Sequence, residues 1–315
     1  MATSGSINFT LTRDNLITLA LQDIGVLRDG GTPTSDQVTY CSYKLNMLIK
    51  HWEMKNLHVW STAEASMFLT SGVNKYTLSG STANSAGDNT IKTTLSAAAS
   101  STSWTCTTVT GMNVSDNIGI VLDSGSLYWT TITAINTTTK IVTVNTAASS
   151  AASSGAVVYA YTSTATKPLR ILSVRHSDSA GNERIVQMKG RDDFMSIPVK
   201  SSPGPVNACF YTQGRDAGTM YVYLTPDDSS NSLNYSYART IEDFDSSSDN
   251  ADIPQEWLRA LLLNLEVDIC PHYGKDLHKQ MPDLQRLAQE AISEATLWDV
   301  ETGSSFIVPS WQYVD

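Results

Sequence analysis

The chain has 315 residues, 41% of them hydrophobic, and a formal net charge of −10. That size supports one large domain or two smaller ones, and no apolar run approaches the ~20 residues of a membrane span. A chain this acidic lacks the basic stripe that grips nucleic acid, although an acidic wall could let DNA slide past without sticking.

The start, Met1-Ala2-Thr3-Ser4-Gly5, has neither the basic opening nor the apolar run of a secretion signal, so a soluble protein made in a cytoplasm is expected. Residues 1–12 read as an arm that ends in a short apolar stretch, Ile7 to Leu11. Thr12 or Asp14 then caps a helix over 13–26, with Leu16, Leu19, Ala20 and Ile24 inward and Gly25 closing it. A turn-rich loop through Gly30-Gly31 leads to a second helix over 35–56, capped by Ser35, with Val38, Cys41, Leu45, Leu48, Ile49 and Trp52 on one face.

Residues 57–79 change to short β-rich runs, and a second β-rich section covers 169–244. Its expected strands are 169–175, 183–188, 208–212, 219–224 and 233–239, several alternating apolar with polar as half-buried antiparallel strands do. Gly181-Asn182 is a hairpin turn, and 192–198 reads as a helical turn or loop. Between these sections, 80–165 is dominated by Ser, Thr, Ala and Val. Strands are expected there at 103–109, 117–122, 127–135, 140–144 and 156–161. Five short strands suggest a small closed barrel or sandwich, because closure protects strand edges.

The stretch from Asp252 to Val300 reads as two helices, 253–270 and 276–300. Asp252 and Gln255 have capping-box spacing, and Pro254 suits a first turn. Leu258, Leu261, Leu262, Leu265 and Ile269 form the first apolar face; Leu284, Leu287, Ala291 and Trp298 form the second. Pro271 and Gly274 break the chain between them. These stripes need a partner: the N-terminal helical hairpin is expected to supply one in a four-helix assembly, the alternative being that each pair buries its face in a separate core or in a neighbouring subunit. After Gly303 the chain presents Phe306, Ile307, Val308, Pro309, Trp311 and Tyr313. So apolar a tail either folds back or docks on another chain in a groove or at a sheet edge.

Chemistry is sparse. There is no phosphate loop, dinucleotide fingerprint, HExxH or nucleophile elbow. Cys41, Cys106, Cys209 and Cys270 form no CxxC pair; buried free thiols are expected, with disulfides or zinc as the alternatives. The acidic run Glu242, Asp243, Asp245, Asp249 and Asp252 lacks the glycine and terminal glutamate of a calcium loop, so a solvated acidic loop, or a stretch facing a channel, is expected. Trp104, Tyr128 and Trp129 are candidates for a sugar platform, against a core or interface role. No cofactor, metal or catalytic residue is expected.

The opening Thr12-Arg13-Asp14-Asn15-Leu16-Ile17 through Ala20-Leu21-Gln22-Asp23-Ile24-Gly25-Val26, and Leu45-Asn46-Met47-Leu48-Ile49-Lys50-His51-Trp52, resemble the helices of head–tail adaptors of short-tailed phages. Asn264-Leu265 followed by Pro271, Tyr273 and Gly274 is similar to that family's "N-L … P-x-Y-G" junction. The family is that of packaged-DNA stabilisation or tail accessory proteins, also called tail tubular protein A. The resemblance covers about 12–56 and 252–300. It implies a non-catalytic virion protein in a ring of about twelve. Such a ring binds the portal protein through C-terminal tails, extends the DNA channel and carries the tail nozzle or fibres. DNA would pass without specific binding, and no membrane is involved. A carbohydrate-binding tail protein is the alternative.

The expected fold is therefore α+β. A helical bundle built from N- and C-terminal hairpins would join an antiparallel β section over 1–79 and 166–302. A small β-barrel or sandwich would be inserted at 80–165, and 303–315 would form a docking tail.

Overall fold

A computed structural model describes residues 5–55, 59–81, 85–99, 101–273 and 281–299. The chain divides into two compact units, 1–61 with 241–315, and 62–240. It is α+β, mostly sheet with a few helices.

The first unit holds α1 (Arg13–Asp23), α2 (Ser35–Lys55), α4 (Leu258–Ile269) and α5 (Met281–Trp298). Thr12 caps α1, its Oγ1 accepting the Asn15 N–H at 3.3 Å. The helix closes in a Schellman motif. Gly25 sits at φ +78°, its N–H bonds the Gln22 carbonyl at 2.9 Å, and Val26 N–H reaches the Leu21 carbonyl at 2.9 Å. The cap of α2 is Thr34 instead of Ser35. Gln37 Oε1 accepts the Thr34 N–H at 2.8 Å while Gln37 N–H donates to Thr34 Oγ1 at 3.3 Å. Only Thr34 has a glutamine three residues on, so only Thr34 can form this reciprocal box.

The chain enters α4 through a 3-10 turn, Gln255–Trp257, with Pro254 in the cap position and no side-chain bond there. Asp252, expected as the cap, instead accepts the Glu242 N–H on Oδ2 at 3.1 Å. The helices centre on α4, which packs against α1, α2 and α5. One buried cluster takes Leu16 and Leu21 from α1, Leu45 and Trp52 from α2, and Leu261 and Leu265 from α4. From α5 it takes Ala291 and Ala295. Trp298 departs from the expected stripe: it is 60% exposed, and Leu297 is 78% exposed. Arg259 near the start of α4 meets Glu294 near the end of α5 at 3.3 Å. The 18 residues of α5 therefore outrun the 12 of α4, and the last turn has no α4 surface left to cover.

Among the described residues the second unit contains three sheets. The first runs in the order β11 (Glu183–Ile185), β10 (Arg170–Ser177), β15 (Ser232–Ala238), β1 (Thr62–Phe68), β3 (Ala86–Asp88). The second runs β12 (Gln187–Met188), β13 (Ala208–Gln213), β14 (Gly218–Tyr223), β2 (Lys75–Leu78). Met67, Leu233 and Tyr235 of the first share a core with Cys209, Met220 and Val222 of the second, so the two pack as layers. α3 (Arg191–Met195) is the short helical turn expected near 192.

The third sheet runs β4 (Ile91–Thr94), β9 (Val157–Tyr161), β6 (Asn117–Val121), β7 (Leu127–Asn136), β8 (Ile141–Val144), β5 (Ser103–Thr105). Its outer strands meet, with Thr107 N–H on the Thr94 carbonyl and Ser96 N–H on the Thr105 carbonyl, both at 2.8 Å. The sheet thus curls until its edges join, around Trp104, Ile118, Ile120 and Val142. The segment with its own sheet is 91–161; β3, inside the expected insert, pairs with β1 of the host sheet. The host β section falls in one unit with this segment rather than with the helices. Their joint is aromatic: Phe68 lies 4.7 Å from Trp129, 5.1 Å from Tyr159 and 5.5 Å from Tyr161 between ring centroids.

Candidate functional site

The chemistry of the helical unit begins with the segment that returns to it after β15. One face of α2 holds that segment through three side chains at helical spacing. Asn46 Nδ2 donates to the Phe244 carbonyl at 3.2 Å, and its Oδ1 accepts the Phe244 N–H at 3.0 Å. Glu53 accepts the Ile241 N–H at 2.7 Å. Lys50 Nζ donates to the Ile241 carbonyl at 2.9 Å and pairs with Glu53 at 3.0 Å and Asp243 at 2.8 Å. Burial pulls the Lys50 ammonium down, but its bonds to Asp243 and Glu53 outweigh that, so it titrates above its ordinary value.

The acidic run is therefore a folded loop. Asp249 Oδ2 accepts the Asp245 and Ser246 N–H groups at 2.9 and 2.5 Å. The side chains of Glu242 and Asp245 are exposed. Among the described residues no group of three or more His, Cys, Asp or Glu could hold a metal ion.

At the junction, His272 and Tyr273 clasp the end of α4 to α2. Asn264 Nδ2 bonds the Ala260 carbonyl at 2.8 Å, and Leu265 is fully buried. Pro271 lies in the 3-10 turn Cys270–His272 that ends α4. His272 stacks on Tyr40 at 4.1 Å and Tyr273 meets the same ring edge-on at 6.3 Å. The Tyr273 hydroxyl lies 3.9 Å from Cys41 Sγ. Burial pushes both the Tyr273 hydroxyl and the Cys41 thiol up, so each stays protonated near neutral pH. Cys41, Cys106, Cys209 and Cys270 are all buried free thiols. Gly274 lies outside the described residues, as do Phe306, Ile307, Val308, Pro309, Trp311 and Tyr313 of the tail.

Two exposed features lie outside the sequence expectations. Tyr43, Met47 and Met54 make a second stripe on α2, bordering an open groove with His51 and the Lys50–Asp243 pair. Leu297 and Trp298 end α5 in the open. The signal for the α2 stripe is in the chain, as 43, 47 and 54 share helical spacing. The inner stripe of the same helix is longer and more apolar, and it dominates the pattern.

Of the three aromatic candidates for a sugar platform in the β unit, one is removed from solvent. Trp104 is fully buried, its Nε1 donating to the Ser101 carbonyl at 3.1 Å. Trp129 is packed into the Phe68–Tyr161 cluster, and the Tyr128 hydroxyl lies 2.8 Å from Thr146 Oγ1.

A family model described as SU10 adaptor protein matches residues 126–304, more than half of the chain. The chain belongs to the SU10 adaptor protein family. The match runs from β7 through host strands β10 to β15 and the acidic loop to α4, the junction and α5. This adaptor is thus a structural protein of the phage virion. Among solved structures it is similar to VP17, a capsid protein of bacteriophage P23-77. Identity is 14%, coverage is 57% of this chain and 72% of that chain, and the TM-score is 0.12. The complex of the two major capsid proteins VP16 and VP17 of the same phage gives 11% identity, 56% and 73% coverage, and a TM-score of 0.12. A comparison with curated protein sequences finds no match. No helix of the described residues is long and apolar enough to cross a membrane.

Proposed function

We propose that this adaptor is the head-to-tail adaptor of its virion, of the tail tubular protein A type, and that it works by assembly without catalysis. The observation that carries this reading is the family match over 126–304, which takes in α4, the junction clasp and α5. A ring of about twelve copies, built from repeated contacts between neighbours, would bind the portal protein, extend the DNA channel and present a platform to the tail nozzle or fibres. The net charge of −10 suits a channel that repels phosphate. The apolar tail 303–315 suits a peptide that anchors in portal pockets.

The test is electron microscopy of the purified adaptor mixed with portal. A ring of adaptor on the portal is expected, and adaptor that leaves the portal bare would overturn the reading. Deleting 303–315 should abolish portal binding while leaving circular dichroism unchanged. Undiminished binding would remove the tail from the proposal.

A further inference from the structure

The two host sheets of the β unit part where one strand leaves the first for the second. β10 pairs with β11 over Arg175–Ser177. At Val186 the chain crosses over: the Val186 N–H bonds the Val174 carbonyl at 2.9 Å, and the Gln187 N–H bonds the Asn207 carbonyl at 3.0 Å. β12 then pairs with β13. Residues 170–173 of β10 are therefore left, among the described residues, with no strand on that side. A free edge of this kind presents backbone donors and acceptors to whatever strand arrives.

A cavity of about 160 Å³ opens in this fork. Ile171, Cys209 and Met220 line it and are buried, and Met188 borders it. A dry cavity of about 150 Å³ takes a benzene-sized group, so this one suits a single leucine-sized side chain. Arg170 and Lys189 also line the cavity, and no acidic side chain does. Neighbouring cations are occupied: Lys167 Nζ donates to the Gly214 and Arg215 carbonyls at 3.0 and 2.8 Å, and Arg184 to the Val206 carbonyl at 3.0 Å. The side chains of Arg170 and Lys189 have no hydrogen bond or ion pair among the described residues.

An apolar floor below two unpaired cations fits a group that is apolar at one end and anionic at the other. The free edge of β10 adds a condition, because only another main chain can hydrogen-bond along it. We propose that the fork takes the carboxyl terminus of another polypeptide. Its last side chain enters the cavity, its α-carboxylate meets Arg170 and Lys189, and its main chain runs beside residues 170–173. The site lies wholly within the β unit, and it stands or falls apart from the way the adaptor meets the portal.

The test offers the immobilised full chain two libraries of short synthetic random peptides, one ending in free carboxylates and the other in amides. Peptides retained from the first should converge on leucine, isoleucine or methionine at the last position, and the amide library should yield no such set. A first library without convergence, or the same convergence in both, would overturn the proposal. For the best peptide, Arg170→Ala with Lys189→Ala should weaken binding about tenfold or more, because the charge-assisted bonds to the carboxylate are lost. Circular dichroism should be unchanged, since Arg170 is exposed and Lys189 half-buried. Undiminished binding by that variant would remove the carboxylate from the site. Hexanoate carries the same apolar and anionic ends without a peptide main chain. At a concentration equal to the peptide's it should leave the peptide bound. Displacement by hexanoate at that concentration would mean that the fork takes a free acid, and the assignment to a polypeptide would fail.

Discussion

Glu266 of α4 is 2% exposed, and its carboxyl is pushed up to about 8 from an ordinary 4.5, by burial first and by nearby Asp23 second. A folded value above the unfolded one means that the buried acid is most favourable when protonated. Its contribution is fully present below about pH 4.5 and is lost as the pH rises through 8. A tenfold change in proton affinity corresponds to about 1.4 kcal/mol, so the effect reaches a few kcal/mol. The melting temperature of the helical unit should fall between pH 5 and pH 9, and Glu266→Gln should flatten that slope. A wild-type melt that is level across this range would refute the assignment. In the β unit, a Cβ at Gly119 would come within 2.7 Å of the Trp129 ring, which has Phe68 and Tyr161 behind it and little room to yield. Gly119→Ala should therefore destabilise by about 1–3 kcal/mol, read as an earlier β transition in thermal melts.

Elements show which parts of the fold a linear reading can reach. The helical periods of α1, α2 and α4 follow from the core they build, so their apolar faces are written at every turn: Leu16 and Ala20, Leu45 and Ile49, Leu261 and Leu265. The strands are legible for the same reason, with Met220 and Val222 alternating against half-buried neighbours. What escaped depends on distant backbone. Asp252 has the spacing of a cap, yet the N–H it meets belongs to Glu242, ten residues back. Asn46 reads as an ordinary polar helix residue until Phe244, 198 residues along the chain, pairs with it. The tail residues of the candidate site lie outside the described part, while Leu265 shares a core with α2 and Tyr273 meets Tyr40 and Cys41 of that helix. The Asn46 pair gives a test at this scale. Asn46→Ala leaves the Phe244 N–H and carbonyl without partners where Phe244 is buried, and such losses cost about 1–3 kcal/mol each. The acidic loop should then open to protease at 242–249 well before the unit melts. Cleavage no faster than in the wild type would show that Lys50 and Glu53 alone hold the segment.

At the scale of the whole molecule, the six-stranded sheet is the part that can be removed. Asp88 N–H donates to the Ser163 carbonyl at 3.0 Å, and Gly87 bridges to Thr164, so the chain leaves and re-enters the host sheet at one place. Excising 89–162 and joining Asp88 to Ser163 through a two-residue turn closes antiparallel ends already in register. The layered core around Met67, Leu233 and Met220 loses nothing by this cut. Phe68 loses the rings of Trp129, Tyr159 and Tyr161 that keep it 2% exposed. Exposing a phenylalanine costs about 1.5–3 kcal/mol, and it leaves a sticky patch. The shortened chain should keep its helical circular-dichroism bands, melt its β section earlier, and aggregate on heating. Adding Phe68→Thr should restore solubility, because β-branched threonine suits a strand whose outer face now meets water. Loss of the helical bands on excision would show that the helices need the curled sheet in order to fold. Aggregation that persists with Phe68→Thr would move the joint between the sheets away from the aromatic cluster.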